Sequence, residues 1–269
     1  MKQIRQVKGM NSEVMASLKK DYIYNLMLKG KRNDGRSFDE YRNITVQTNV
    51  IDKAEGSAKV CIGETQVLVG VKLQIGAPFP DSPGEGVIIT NLEMNPLASP
   101  EFEAGPPKEG AIEMARVTDR GIRESGAIDL NKLCITEGEE VWIVFIDVHV
   151  LNDDGNLQDA SCLGAIAALM TSKVPAEREG KGEDMMMPIR DVPVGVTLVD
   201  VGGELMIDPG LAEETVADSK LTIVSNQNGS ISAMQKTGEG MLTQEQLLKA
   251  VDMACAKAEE IREKYLLNI

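Results

Sequence analysis

A chain of 269 residues is long enough to bury a full hydrophobic core, as one large domain or two intimate halves, and its 42% hydrophobic and 26% charged residues are a globular balance. The formal net charge of −14 argues against a uniformly basic nucleic-acid binder, so any polyanion must meet a local basic feature. No apolar run approaches the roughly 20 residues that cross a bilayer, and the first residues lack the apolar stretch of a signal peptide, so a cytoplasmic protein without membrane contact is expected.

The single histidine, His149, lies in a strand-like run and reads as a core or edge residue. Its solitude excludes most hydrolytic sites that need an imidazole base. Cys61, Cys134, Cys162 and Cys255 are far apart and read as reduced thiols. No metal-ligand spacing is present, and no cofactor is expected. Charge is uneven along the chain: residues 1–42 carry ten Lys or Arg against five acids, and the remainder carries 18 against 37.

In chain order, a basic tail precedes a helix capped by Ser12, with Met15, Leu18, Tyr22 and Leu26 predicted on its inner face and Gly30 at its end. Lys31 to Arg36 is a turn-rich basic loop. Ile44 to Val50, Ala58 to Ile62 and Gln66 to Ile75 alternate with period two, turning at Glu55-Gly56-Ser57, and predict an antiparallel meander. Val87 to Met94 is a further strand, after a loop rich in proline and glycine.

Lys108 to Ser125 is predicted helical, entered through Pro106-Pro107 and left at Gly126. At about 100° per residue, Ala111, Ala115, Thr118 and Ile122 share one small apolar face, with Met114 beside them. Arg116, Arg120 and Arg123 share another, three of the six arginines beyond residue 42. An ordinary solvated face would pair Glu113 with Arg116 and Glu124 with Arg120, each pair worth about 0.2–0.5 kcal/mol. Against that, the arginines repel one another at neighbouring positions by a similar amount. Guanidinium forks also suit phosphate, because they bond two oxygens at once.

Glu139 to Leu151 is apolar on both faces and predicts a strand buried on both sides, followed by a turn at Asn152 to Gly155. Asp159 to Thr171, rich in Ala and Gly, predicts a core helix lying close on a sheet. Glu177 to Met187 reads as a loop or hinge between halves. Gly202-Gly203 and Asn228-Gly229 each mark a hairpin. Thr243 and Gln246 form a capping box for a closing helix whose inner stripe is Leu247, Ala250, Ala254, Ala258 and Ile261. Val69 to Leu73 and Val194 to Leu198 are alike, as a duplication would leave them.

This order of elements, with Asp34-Gly35-Arg36, the run Gly56 to Thr65, the helix of Glu113, Arg116 and Arg120, and Asp153-Asp154-Gly155, resembles the RNase PH family of phosphorolytic exoribonucleases. The resemblance covers nearly the whole chain, and within the family it is most similar to the non-catalytic ring subunits of the archaeal exosome. It implies an α+β fold of two similar β-rich halves with helices between them. The expected divisions are a tail and helix over 1–30, a first half over 31–180 and a second over 188–269.

The departures from active members carry the functional expectation. Active members hold inorganic phosphate in a Gly-Ser/Thr-Arg turn after the buried strand; here that turn runs Gly155-Asn156-Leu157-Gln158-Asp159, without arginine and with an added acid. Phosphate beside Asp153, Asp154 and Asp159 would be repelled. Active members also carry two metal-tied aspartates in the second half, which align with Thr215 and Asp218, and threonine neither donates a proton near neutral pH nor replaces a carboxylate on a metal. Gln158, Thr215 and Asp218 are therefore expected to be degenerate active-site positions, with no catalytic residue and no bound metal.

The expectation is a catalytically silent subunit in a hetero-hexameric ring with a catalytic RNase PH-like exosome paralogue. RNA-binding cap subunits are further implied partners. Arg116, Arg120 and Arg123 would hold single-stranded RNA for the neighbour's 3′-to-5′ phosphorolysis. The alternatives are an active phosphate-dependent exoribonuclease using Asp218 with Glu213 or Glu214, and a purely architectural subunit without RNA contact.

Overall fold

The computed structural model describes residues 21–27 and 29–269. The first half contains β1 (Ile44–Thr48), β2 (Gly56–Ile62), β3 (Thr65–Gly76), β4 (Val87–Met94), α1 (Glu109–Arg123), β5 (Cys134–Thr136), β6 (Glu140–Asn152) and α2 (Leu157–Met170). Its six-stranded sheet has the order β1-β2-β3-β6-β4, with β5 beside β6. The expected meander is β1 to β3, paired antiparallel. By contrast β4 runs parallel to β6, which a connection as long as α1 permits and a hairpin would not.

A short β7 (Lys173–Val174) pairs with β8 (Met185–Met186), so the stretch read as an open loop is tied back at its end. The second half follows with β9 (Val194–Val201), β10 (Glu204–Ile207), α3 (Leu211–Val216), β11 (Ser219–Ser225), β12 (Ile231–Thr237) and α4 (Gln244–Tyr265). Its four-stranded sheet has the order β10-β9-β11-β12. Both hairpins fall where Gly202-Gly203 and Asn228-Gly229 place them, and Thr243 and Gln246 exchange the two capping bonds at the start of α4.

Helix α2 packs on β2 and β3 of the first sheet and on β9 of the second, and every residue from Leu157 to Leu169 is buried. Small side chains make this approach feasible: a Cβ on Gly164 would stand 2.7 Å from a methyl of Val69. Helix α1 lies against β4 and also touches β12 and α2, so it spans the edges of both sheets. Helix α4 covers β9 and β11, with Ala250, Ala254, Ala258 and Ile261 buried as its stripe requires.

Two expectations change. Strand β6 is fully buried on one face only: Val144, Ile146, Val148 and Val150 lie against the helices, while Ile143, Phe145, Asp147 and His149 keep partial exposure because no layer among the described residues covers them. At the N-terminal end, Ser12, Met15 and Leu18 lie outside the described residues. The inner positions of the described part are Ile23 and Met27, whereas Tyr22 is exposed and Leu26 half-buried. Ile23 and Met27 pack on Val199, Val201, Met206 and Val216, so the docking surface of the second half selected the buried face.

Candidate functional site

Helix α1 buries Ala111, Ala115, Thr118 and Ile122 as its period predicts, and Val117 and Gly121 beside them. Gly121 lies on Val224 of β11, and a Cβ there would meet its methyl at 3.3 Å. With that side fixed, Arg116, Arg120 and Arg123 turn outward. Arg116 and Arg120 have no hydrogen bond or ion pair among the described residues. The pairs with Glu113 and Glu124 do not form; Glu113 instead accepts a hydrogen bond from Gln235 of β12 at 3.3 Å. Arg123 differs: it pairs with Asp119 at 3.0 Å and donates to the carbonyl of Ile88 on strand β4 at 2.9 Å. The two free guanidiniums flank an open recess of about 460 Å³ lined by Ile112, Glu113, Val117 and Gln235.

The turn after β6 leads into α2 through Asn156, which is buried and left-handed at φ 56°. Asn156 Nδ2 donates to Asp159 Oδ2 and to Asp208 Oδ1, each at 2.8 Å. The carboxylate of Glu214 on α3 faces the backbone N–H of Asn156, which favours its ionised form. The positive end of α2 therefore faces an anion supplied by the chain itself. Burial raises the carboxyl of Glu214, opposed by Lys220, whose Nζ lies 3.4 Å away, and by that N–H. Asp153 is also raised, by burial, with Asp154 and Glu101 adding to the shift against the N–H of Gly155. Gly155 itself presses on the second half: at φ 85°, a Cβ would come 2.4 Å from the N of Leu211.

The arginines of the basic start turn inward. Arg42 holds both oxygens of Asp208 and the carbonyls of Asp154 and Gly155. Arg36 holds Asp208 and Asp34, and Arg32 is buried on Glu213. Burial pushes the Asp208 carboxyl up, but the bonds and charge of Arg42 outweigh it and leave it below the ordinary carboxylate value. These three guanidiniums fasten the halves together.

Gln158 is buried, donates to Thr118 Oγ1 at 3.1 Å and lines a small recess shared with Glu113, Lys220 and Gln235. Thr215 is exposed on α3 and donates to the carbonyl of Leu211 at 2.7 Å. Asp218 Oδ2 accepts from the N–H of Gly202 at 2.9 Å, within the β9–β10 turn. Asp159, expected beside the phosphate position, points into the interior instead: Tyr41 O–H, Thr197 Oγ1–H and the N–H of Thr197 all donate to it. The acid at the helix start is Glu214, which sequence reasoning named only as a catalytic alternative beside Glu213. His149 sits beside Glu93, its Nδ1 3.3 Å from the carboxylate. Among the described residues no group of three or more His, Cys, Asp or Glu could hold a metal ion.

Residues 40–175 match domain 1 of the 3′ exoribonuclease family, and residues 191–257 match domain 2. The chain belongs to this RNase PH family. It is 66% identical to the exosome complex component Rrp42 of Methanosarcina acetivorans over 95% of this chain and 96% of the relative. A chain in the structure of the Archaeoglobus fulgidus exosome with RNA bound to the active site aligns with a TM-score of 0.91 at 53% identity, over 93% of this chain and 99% of that one. A chain of an archaeal exosome core aligns with a TM-score of 0.87 at 49% identity, over 94% and 98%. The two RNase PH domains are the two β-rich halves, and the expected α+β architecture is the one observed. No helix among the described residues is long and apolar enough to cross a membrane.

Proposed function

We propose that this protein is a catalytically silent subunit of an exosome core ring. There it completes the active site of a catalytic RNase PH-like paralogue and helps to hold single-stranded RNA during 3′-to-5′ phosphorolysis. The observation that carries the reading is the contrast between two positions. At the start of α2, where active family members offer backbone amides to phosphate, the N–H of Asn156 faces the carboxylate of Glu214. On α1, Arg116 and Arg120 remain unpaired among the described residues.

A dianionic phosphate would have to displace Glu214 and approach Asp153 and Asp154, with no arginine in the turn to offset the repulsion. Proton donation by Asp218 is also disfavoured, since it is engaged with Gly202. Glu213, its other suggested partner, is held by Arg32. Gln158, Thr215 and Asp218 then serve the fold. Arg116 and Arg120 need only position backbone phosphates, which requires charge and no proton chemistry.

The test uses the purified chain, the purified paralogue and the ring assembled from both, supplied with phosphate, magnesium and RNA. The isolated chain should release no nucleoside diphosphate. Rings carrying Arg116→Glu with Arg120→Glu, their mass confirmed, should bind and degrade RNA more weakly. Phosphorolysis by the isolated chain would establish the enzyme alternative, and unchanged affinity in the variant ring would leave an architectural subunit.

A further inference from the structure

We infer that the recess between α1 and β12 is a nucleotide subsite, in which Gln235 accepts a hydrogen bond from the exocyclic amine of a base whose phosphates lie on Arg116 and Arg120. The inference rests on the reading of α1 as part of the RNA path, and adds to it a residue from the second half and a base preference.

Three features of the recess meet the phosphates, the base face and the base edge of a bound nucleotide. Arg116 and Arg120 stand one helical turn apart, so their Cβ atoms are about 5–6 Å from each other, within reach of adjacent phosphates of one strand. Ile112 is 49% exposed on the rim and offers an aliphatic surface to a base face. Gln235, from the opposite wall, offers a base-edge contact.

The direction of the Gln235 amide is set by its neighbours. Nε2 donates to Glu113 Oε1 at 3.3 Å and to the carbonyl of Lys236 at 3.4 Å, so the amide nitrogen faces both acceptors. The reverse orientation would set the amide oxygen against a carboxylate and a carbonyl, with three acceptors facing one another. Oε1 therefore remains the free end, and among the described residues nothing donates to it.

An acceptor at that place discriminates between bases. Cytosine and adenine carry an exocyclic N–H₂ donor, whereas uracil presents a carbonyl oxygen at C4 and would meet Gln235 lone pair to lone pair. Glu109 and Glu113 on the α1 wall add negative charge and sharpen the rejection of a second acceptor. The recess therefore favours cytidine and adenosine over uridine, while the arginine contacts stay indifferent to sequence.

Oligocytidylate and oligouridylate of equal length, which differ at C4 only by amine against carbonyl, isolate the contact. Their dissociation constants are measured by fluorescence anisotropy on the ring assembled with its catalytic paralogue. The parent ring should bind oligocytidylate about fivefold more tightly, the worth of one neutral hydrogen bond. Gln235→Leu should abolish the difference by weakening oligocytidylate alone, and Gln235→Asn, which withdraws the acceptor but keeps the amide, should do the same. Equal affinities in the parent ring, or a preference that survives both substitutions, would overturn the subsite. Arg116→Glu with Arg120→Glu should weaken both ligands by one factor; if both affinities stay unchanged, the RNA path fails and the subsite with it.

Discussion

Arg32 and Glu213 lie 181 positions apart and form a two-pronged ion pair inside the protein, with Nε 2.9 Å from Oε1 and Nη2 2.5 Å from Oε2. The rest of the guanidinium is spent on the carbonyls of Ile207 and Asp208, both at 2.8 Å. A residue that opens a basic loop in the sequence is thus a rivet between the halves. Removing either partner strands a buried charge, which costs about 3–5 kcal/mol. Arg32→Ala and Glu213→Ala should each lower the midpoint of urea unfolding markedly. The double variant should lose much less than the sum of the two, because they share one interaction. Additive losses would show that the two side chains stabilise independently.

A second expectation concerns pH. Burial pushes the carboxyl of Asp159 up to about 6 from an ordinary 3.8, against the bonds from Tyr41, Thr197 and Asn156 that favour its ionised form. Between those values the folded chain holds a proton that the unfolded chain has released, so stability falls as pH rises across this interval. The contribution of Asp159 is fully present below about pH 4 and lost above about pH 6. Asp208 has the opposite sign, since Arg42 holds its carboxyl low and its contribution is lost on acidification. Urea unfolding of the parent and of Asp159→Asn from pH 4.5 to 7 isolates the first effect. The parent should lose stability relative to the variant as pH rises, and a constant difference would refute the assignment.

The three arginines of α1 should separate by salt dependence. Arg116→Met and Arg120→Met should each make the salt dependence of RNA binding shallower, by about 0.7 in logarithmic slope per lost phosphate contact. Arg123→Met should leave the slope nearly unchanged and destabilise the subunit by about 1 kcal/mol, because Arg123 serves Asp119 and the carbonyl of Ile88. Anisotropy titrations at several salt concentrations, with thermal melts of the same rings, measure both. Equal slope changes for all three would place Arg123 on RNA as well.

Asp218→Ala should lower stability by about 1 kcal/mol through the lost bond to the N–H of Gly202. Phosphorolysis by the assembled ring should change less than about twofold, whereas loss of a metal-tied aspartate in the paralogue should abolish it. A collapse of activity in an intact Asp218→Ala ring would make Asp218 a working acid.

Legibility of this protein follows the range of the interactions involved. The period of α1, the Gly202-Gly203 and Asn228-Gly229 hairpins and the capping box of Thr243 and Gln246 depend on residues within a few positions of one another, and each could be read directly from the chain. The identities of Gln158 and Thr215, on which the proposed departure from active members rests, were equally open to reading. The fate of each charge was not. Arg32, Arg36 and Arg42 look as available for a polyanion as Arg116 and Arg120 do, yet the first three meet carboxylates from the second half of the chain. Asp159 and Glu214 likewise leave the places expected of them, one drawn inside by Tyr41 and Thr197 and the other set by α3 facing the N–H of Asn156. A side chain's charge is a local property, but its desolvation and its partner are set by what the opposite half brings within about 3 Å, and only the packed tertiary structure decides that.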